Sequence, residues 1–371
     1  MVDCVKREVP QVQNFIKSGN QFLKMVRSFI ANSVRERKLL QDKGKAYFKE
    51  ILHTILFYGN INRPRIEPEE IFDQREFQLL FSKYPDVFRK YNTHLPTRPP
   101  YTVLLDVVVE IMGRNVEKRR VLNCLLDLTK QMVVEFTDAK SSKCGNVFVS
   151  TVISYSYFRD VDVTNEKTDN YFGASLSCKG RQQRQIMIDI LCCQTWHKDI
   201  SLAVCIGNMN NTHAFLFPPK VHSRAFNIKP SAPSATPDNQ HDLAVVGSAS
   251  VQMPNSLEMS RTPRQLASLV PRAPSKRCLD MFPNIQHDPR PVVQQNPYWE
   301  YGNQAECESL NQLLCANQQI VLRLEFLIST TDKNQLQSEL IGSKLTRLQG
   351  NLASLEFNME HGLLFYDPSG I

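Results

Sequence analysis

Near its C-terminus the chain repeats apolar residues at a spacing that few folds use. Leu310, Leu313, Asn317, Ile320, Leu324 and Leu327 follow one another at steps of 3, 4, 3, 4 and 3 residues. These are the a and d positions of a heptad. Beyond a polar break at Ser329, Thr330, Thr331 and Asp332, the pattern resumes with Ile341, Leu345, Leu348, Leu352, Leu355 and Met359. Asn317 falls at an a position, where a buried amide costs stability but fixes register. Each repeat is near the length, roughly 12–15 residues, at which isolated helices are marginal. A partner is therefore required, either as an antiparallel pair within the chain or as another chain. The spacing predicts a C-terminal coiled coil over 300–365 that binds a protein partner or a second copy. The plainer alternative is an amphipathic hairpin packed on the body.

The stretch before it has a different composition. From Lys229 to about Pro297, Pro, Ser, Ala, Asn and Gln dominate and no period is sustained, which reads as a disordered linker over 229–299. Within it Arg261, Arg264, Arg272, Lys276 and Arg277 resemble a two-cluster nuclear import signal.

The N-terminal part is periodic at helical spacing. Val12, Phe15, Ile16, Phe22, Leu23, Val26, Phe29, Ile30 and Val34 form one stripe, and Tyr47, Ile51, Leu52, Ile55 and Leu56 resume it after Lys43-Gly44-Lys45. Further helices are expected over 68–91, divided at Pro85, and over 101–138, although Val107-Val108-Val109 also suits a strand. After Lys140 the pattern turns to alternation. Ile153, Tyr155 and Tyr157 face one side of a strand and Ser154 and Ser156 the other. Ile186–Cys193 reads as a buried strand or short helix, and Ser201–Ile206 and His213–Phe217 as strands. The expected class is α+β, with a helix-rich region over 1–140, a small β-containing region over 141–228 packed on the helices, the linker and the coiled coil.

Charge is unevenly spread. Residues 1–130 carry 23 Lys and Arg against 15 Asp and Glu, a net +8, while the remainder is close to neutral within a total of +7. A basic N-terminal third favours an anionic partner, either nucleic acid or an acidic protein face. The contact residues expected are Arg35, Arg37, Lys38, Lys43 and Lys45, then Arg114, Lys118, Arg119 and Arg120, with a further patch from Lys179 to Arg184. Tyr155, Tyr157 and Phe158 would stack on bases if exposed on the sheet.

Catalytic signatures are scarce. No Walker loop, dinucleotide fingerprint, H-E-x-x-H or nucleophile elbow occurs, and 14 glycines leave little material for phosphate-cradling loops. Cys178, Cys192, Cys193, His197, Cys205 and His213 are chemically suited to zinc, but no C-x-x-C pair exists, and buried thiols explain them better. Asp189 stands in an apolar run, so Asp189, His197 and His213 form the enzyme alternative. No apolar run reaches the roughly 18–20 residues of a membrane span, and no signal peptide is evident. The expectation is a non-enzymatic scaffold without cofactor or metal, nuclear or cytoplasmic. It would contact nucleic acid or an acidic partner through its basic helices and associate through the coiled coil. A structural assembly subunit, viral or cytoskeletal, is the alternative.

Overall fold

The computed structural model describes residues 2–114, 116–137, 144–160, 166–178, 180–207, 213–228, 269–291, 300–328 and 330–370. The first apolar stripe forms one helix, α1 (Val2–Arg35), continuous through Gly19. The break falls at Glu36–Leu40, not at Lys43-Gly44-Lys45. Arg37 takes φ 57°, and the amides of Lys38 and Leu39 bond back to the Ser33 carbonyl. Helix α2 (Gln41–Asn60) returns along α1. Gly44 lies inside it because a Cβ there would stand 2.9 Å from Ile30.

From Phe48 onward α2 is buried on every side, including Lys49, Glu50, His53 and Thr54. Short helices α3 (Pro68–Ile71), α4 (Gln74–Lys83) and α5 (Pro85–Lys90) follow, and Asp73 caps α4 by accepting from the Glu76 amide at 2.8 Å. After β1 (His94–Leu95), helix α6 (Pro100–Met112) opens on Pro100 and stops at Gly113, φ 84°. Its Val107-Val108-Val109 run is helical, because burial of nearly the whole helix outweighs the modest propensity cost of β-branching. Helix α7 (Lys118–Gln131) buries Val121, Leu122, Leu125 and Leu128, and β2 (Val134–Glu135) pairs with β3 (Cys144–Gly145).

The main sheet is built on one long antiparallel pair. Strand β4 (Val152–Asp160) is joined on one side by β5 (Glu166–Lys167) and β6 (Tyr171–Ala174). The chain then forms α8 (Arg181–Ile190), a π-turn over Leu191–Thr195, α9 (Lys198–Gly207) and β7 (Phe215–Leu216). Strand β8 (Val221–Asn227) pairs with β4 along its whole length, Val152 opposite Asn227 and Phe158 opposite Val221. The Ser201–Ile206 segment is helical, not a strand. It is apolar and buried all round, so alternation could not distinguish the two.

Part of the expected linker is folded. Strand β9 (Val270–Arg272), helix α10 (Lys276–Met281) and β10 (Gln286–Asp288) close the free edge of β8, β9 antiparallel and β10 parallel. Of the import-signal residues, Arg261 and Arg264 lie outside the described residues. Arg272 donates to Asn227 Oδ1 at 3.2 Å within the sheet, and Lys276 opens α10. Arg277 packs over the Tyr301 ring, so these last three belong to folded elements and not to a linker.

The expected coiled coil is also corrected. Its first repeat becomes α11 (Ala305–Ala316), which lies across β4 and β6, with Leu310 and Leu313 fully buried. Contact is close because Gly173 has no side chain: a Cβ would stand 2.2 Å from the Ser309 amide nitrogen. Ser309 then reaches Ser154 at 2.9 Å and Ser156 at 2.7 Å. Asn317 ends the helix, its amide donating to the Leu313 carbonyl.

Ile320 and Leu324, in and after α12 (Gln318–Leu322), are buried, whereas Leu327, after β11 (Glu325–Phe326), is half exposed. The second repeat is α13 (Thr330–Ser354), which packs on α8, α9 and the π-turn between them. Leu348, Leu352 and Leu355 are buried there; Ile341 and Met359 are partly covered and Leu345 is exposed. Each repeat uses the sheet or the body in place of a coiled-coil mate. Strand β12 (Leu364–Phe365) ends the chain's secondary structure in parallel with β1. Among the described residues the main apolar core runs from Phe15 to Tyr366, with Val152, Ala225 and Ala305 forming a small second cluster. No helix among the described residues is long and apolar enough to cross a membrane.

Candidate nucleic-acid interface

Alternation divides the side chains of β4 between two faces. Ser154 and Ser156 meet α11, and Ile153, Tyr155, Tyr157 and Arg159 share the opposite face. On that face the rings form a ladder. Tyr157 and its cross-strand partner His222 stack at 4.9 Å between centroids and 10° between planes. Tyr155 continues it at 6.1 Å and 22° from Tyr157, and Phe226 lies a further 6.1 Å beyond. Tyr155 and Phe226 are buried, while Tyr157 and His222 at the outer end are partly exposed.

Cations surround that outer end. Lys118, the first residue of α7, sits 4.8 Å above the Tyr155 ring and 5.8 Å above Tyr157. Arg119 and Arg120 follow it, exposed. Arg114 lies over Tyr171 at 5.3 Å. Two residues beyond Tyr157, Arg159 stands directly opposite Lys167 of β5, and both are exposed. Like charges placed across a ladder destabilise it unless compensated.

The neighbouring rung offers the comparison. There Asp160 faces Glu166, and each carboxylate has a cation: Lys220 at 2.6 Å and Arg323 at 3.0 Å. Among the described residues no carboxylate lies within 4 Å of Arg159, Lys167, Arg114, Lys118, Arg119 or Arg120. Arg224 is balanced by Asp288 at 3.2 Å. Burial, with Arg159 adding repulsion, lowers the pKa of His222 and keeps its ring neutral near pH 7.

Two of the five cations of the first basic cluster are paired. Lys38 meets Glu36 at 2.7 Å and Lys43 meets Glu110 at 2.5 Å, while Arg35, Arg37 and Lys45 are exposed and meet no carboxylate among the described residues. Glu110 lies one turn before Arg114, so Lys43 reaches the helix end from which the second cluster begins. In the third patch Arg181 pairs with Glu300 at 3.2 Å. Sequence reasoning missed Arg159, Lys167 and His222. The continuation Tyr155-x-Tyr157-x-Arg159 was the available signal, since one further step of alternation puts a cation beside the rings.

The residues of the enzyme alternative have separate partners. Asp189, fully buried, receives Arg347 Nε at 2.9 Å and Nη2 at 2.5 Å, with Lys344 Nζ 3.6 Å away. His197 stands 3.4 Å from Asp199, which also holds Lys333 at 2.9 Å. His213 Nδ1 meets the Asp280 carbonyl at 2.8 Å. None of the three bonds to another. Asp189 and Asp199 instead fasten α13 to α8 and α9. A cleft of about 400 Å³ opens between Glu50, Arg98, Gln194 and Tyr366. The Arg98 guanidinium there is held by Glu50 at 2.7 Å and by Asp106. Among the described residues no three His, Cys, Asp or Glu side chains are placed to share a metal ion. No family model, curated protein or solved structure matches the chain.

Proposed function

We propose that this protein is a non-enzymatic nucleic-acid-binding component of a larger assembly, and that the outer face of β4 and β8 is where the nucleic acid lies. The observation that carries the reading is the Arg159–Lys167 rung, a cross-strand pair of cations that meets no described carboxylate beside the Tyr157–His222 rings. Lys118, Arg119 and Arg120 overhang the same place. Phosphates supply the missing countercharge, and their binding releases condensed counterions. An acidic protein would supply charge but has no use for the aromatic stack. Association with a protein partner or a second copy would use the heptad residues left exposed, Leu327 and Leu345.

The test is fluorescence anisotropy with a labelled oligonucleotide. If these five cations each neutralise one phosphate of a single strand, log Kd rises with log salt at a slope of about 3.5, and affinity falls about a hundredfold from 50 to 200 mM salt. The R159A/K167A variant lowers that slope to about 2. Binding that is absent at 50 mM salt, or unchanged in R159A/K167A, refutes the proposal. Light scattering on wild type and L345E tests the assembly half.

A further inference from the structure

The ring ladder specifies more than charge. Resting on the reading above, we infer that the ligand is a single strand, and that one of its unpaired bases stacks at the exposed end of the Tyr157–His222 pair. The ladder has a buried end and a partly exposed one. Phe226 and Tyr155 are buried and turned into the fold, whereas Tyr157 and His222 are partly exposed. All successive planes lie within 22° of one another, so a planar group added at the partly exposed end continues an existing stack. In a duplex every base face is already covered by its neighbours. Only an unpaired base can offer its face to a protein ring, and such stacking tolerates any sequence because each base has a π-face.

The cations are placed for the backbone that such a base would carry. Arg159 follows Tyr157 by two residues on the same strand face, with Lys167 beside it, while Lys118 roofs the rings from α7. A sugar-phosphate chain crossing the sheet edge would meet charge on both sides of the stacked base. The neutral state of the His222 ring suits stacking and adds no further charge.

The experiment compares four probes of equal length by anisotropy on the full chain: an oligothymidylate, the corresponding abasic strand, a duplex and polyglutamate. Stacking predicts that oligothymidylate binds at least about fivefold tighter than the abasic strand, given about 1–3 kcal/mol for one base–aromatic contact. Tyr157→Ala and, separately, His222→Ala would shrink that ratio below about threefold while leaving the abasic affinity and its salt slope unchanged. Tyr157→Phe keeps the ratio. Circular dichroism of each variant establishes folding, and the His222 variant serves if the Tyr157 variant does not fold. Equal affinity for the three nucleic-acid probes overturns the single-strand inference and leaves the phosphate reading standing. So does a ratio that both alanine variants leave intact. Binding of polyglutamate alone overturns both and points to an acidic protein.

Discussion

Adding one methyl group at Gly173 should separate α11 from the sheet. A Cβ there would lie 2.2 Å from the Ser309 nitrogen, 2.5 Å from the Ala305 carbonyl oxygen and 2.8 Å from the Glu308 Cβ. Two of the three are backbone, so no rotamer change relieves them. Restoring ordinary contact requires the helix to retreat by about 1 Å, with an overpacking cost of about 1–3 kcal/mol. That movement also stretches the bonds from Ser309 to Ser154 and Ser156, worth about 1 kcal/mol each. Gly173→Ala should therefore destabilise the fold by about 3–5 kcal/mol.

For a 371-residue chain, unfolding entropy of about 0.8 kcal/mol per degree makes this a fall of about 4–6 °C in Tm. Urea unfolding followed by circular dichroism measures it, with Ser309→Ala as the control that loses the hydroxyl and keeps the spacing. If residues 300–365 formed a coiled coil away from the sheet, Gly173 would have an open face and alanine would be tolerated. An unchanged midpoint in Gly173→Ala refutes the packing described here.

Other perturbations test other contacts. Asp189→Ala leaves Lys344 buried without its counter-ion and should cost about 3 kcal/mol in urea unfolding, whereas replacing Asp189, Lys344 and Arg347 together with methionine should recover most of it. Gly342→Ala and Gly350→Ala, at helix positions where a Cβ meets nothing within 4 Å, should each stabilise by about 0.5–1 kcal/mol; a lowered midpoint would mean that α13 is covered there. Burial pushes the pKa of His53 down to about 3 in the folded chain, so below 6.5 the unfolded chain protonates first. Stability is whole above pH 6.5 and is lost as pH falls towards 3, by about 2 kcal/mol at pH 5 from this residue. Burial raises Glu306 and Glu308 and acts in the opposite direction, so the readout is the difference in pH slope between wild type and His53→Phe; identical slopes would refute the assignment.

The α1 stripe was legible because it records a boundary between core and solvent, and Pro85 divides two helices as its missing amide requires. The alternation of Tyr155, Ser156 and Tyr157 was legible for a different reason: it separates small polar residues packed under α11 from rings on the other face. The segments that misled are buried all round. Val107–Val109 and Ser201–Ile206 carry no polar face to mark a period of 3.6. The heptads of 310–359 record apolar stripes correctly, but a stripe does not say what covers it, and here a sheet and two body helices do. Of the candidate interface, the charge at Arg114–Arg120 could be read directly. Arg159 and Lys167 could not be joined to it, because their pairing across β4 and β5 exists only in three dimensions.

The place of α11 also sets an order of events in the life of the chain. Strand β4 is complete at Asp160, yet the helix that covers its serine face ends at Ala316. At a synthesis rate of about 5–20 residues per second, about 8–30 s separate the two at the ribosome. Until α11 is made, Ser154, Ser156 and, once synthesised, Gly173 lack the helix that covers them, and the core on that face cannot close. The yield of folded chain should therefore depend on how fast residues 161–316 are translated.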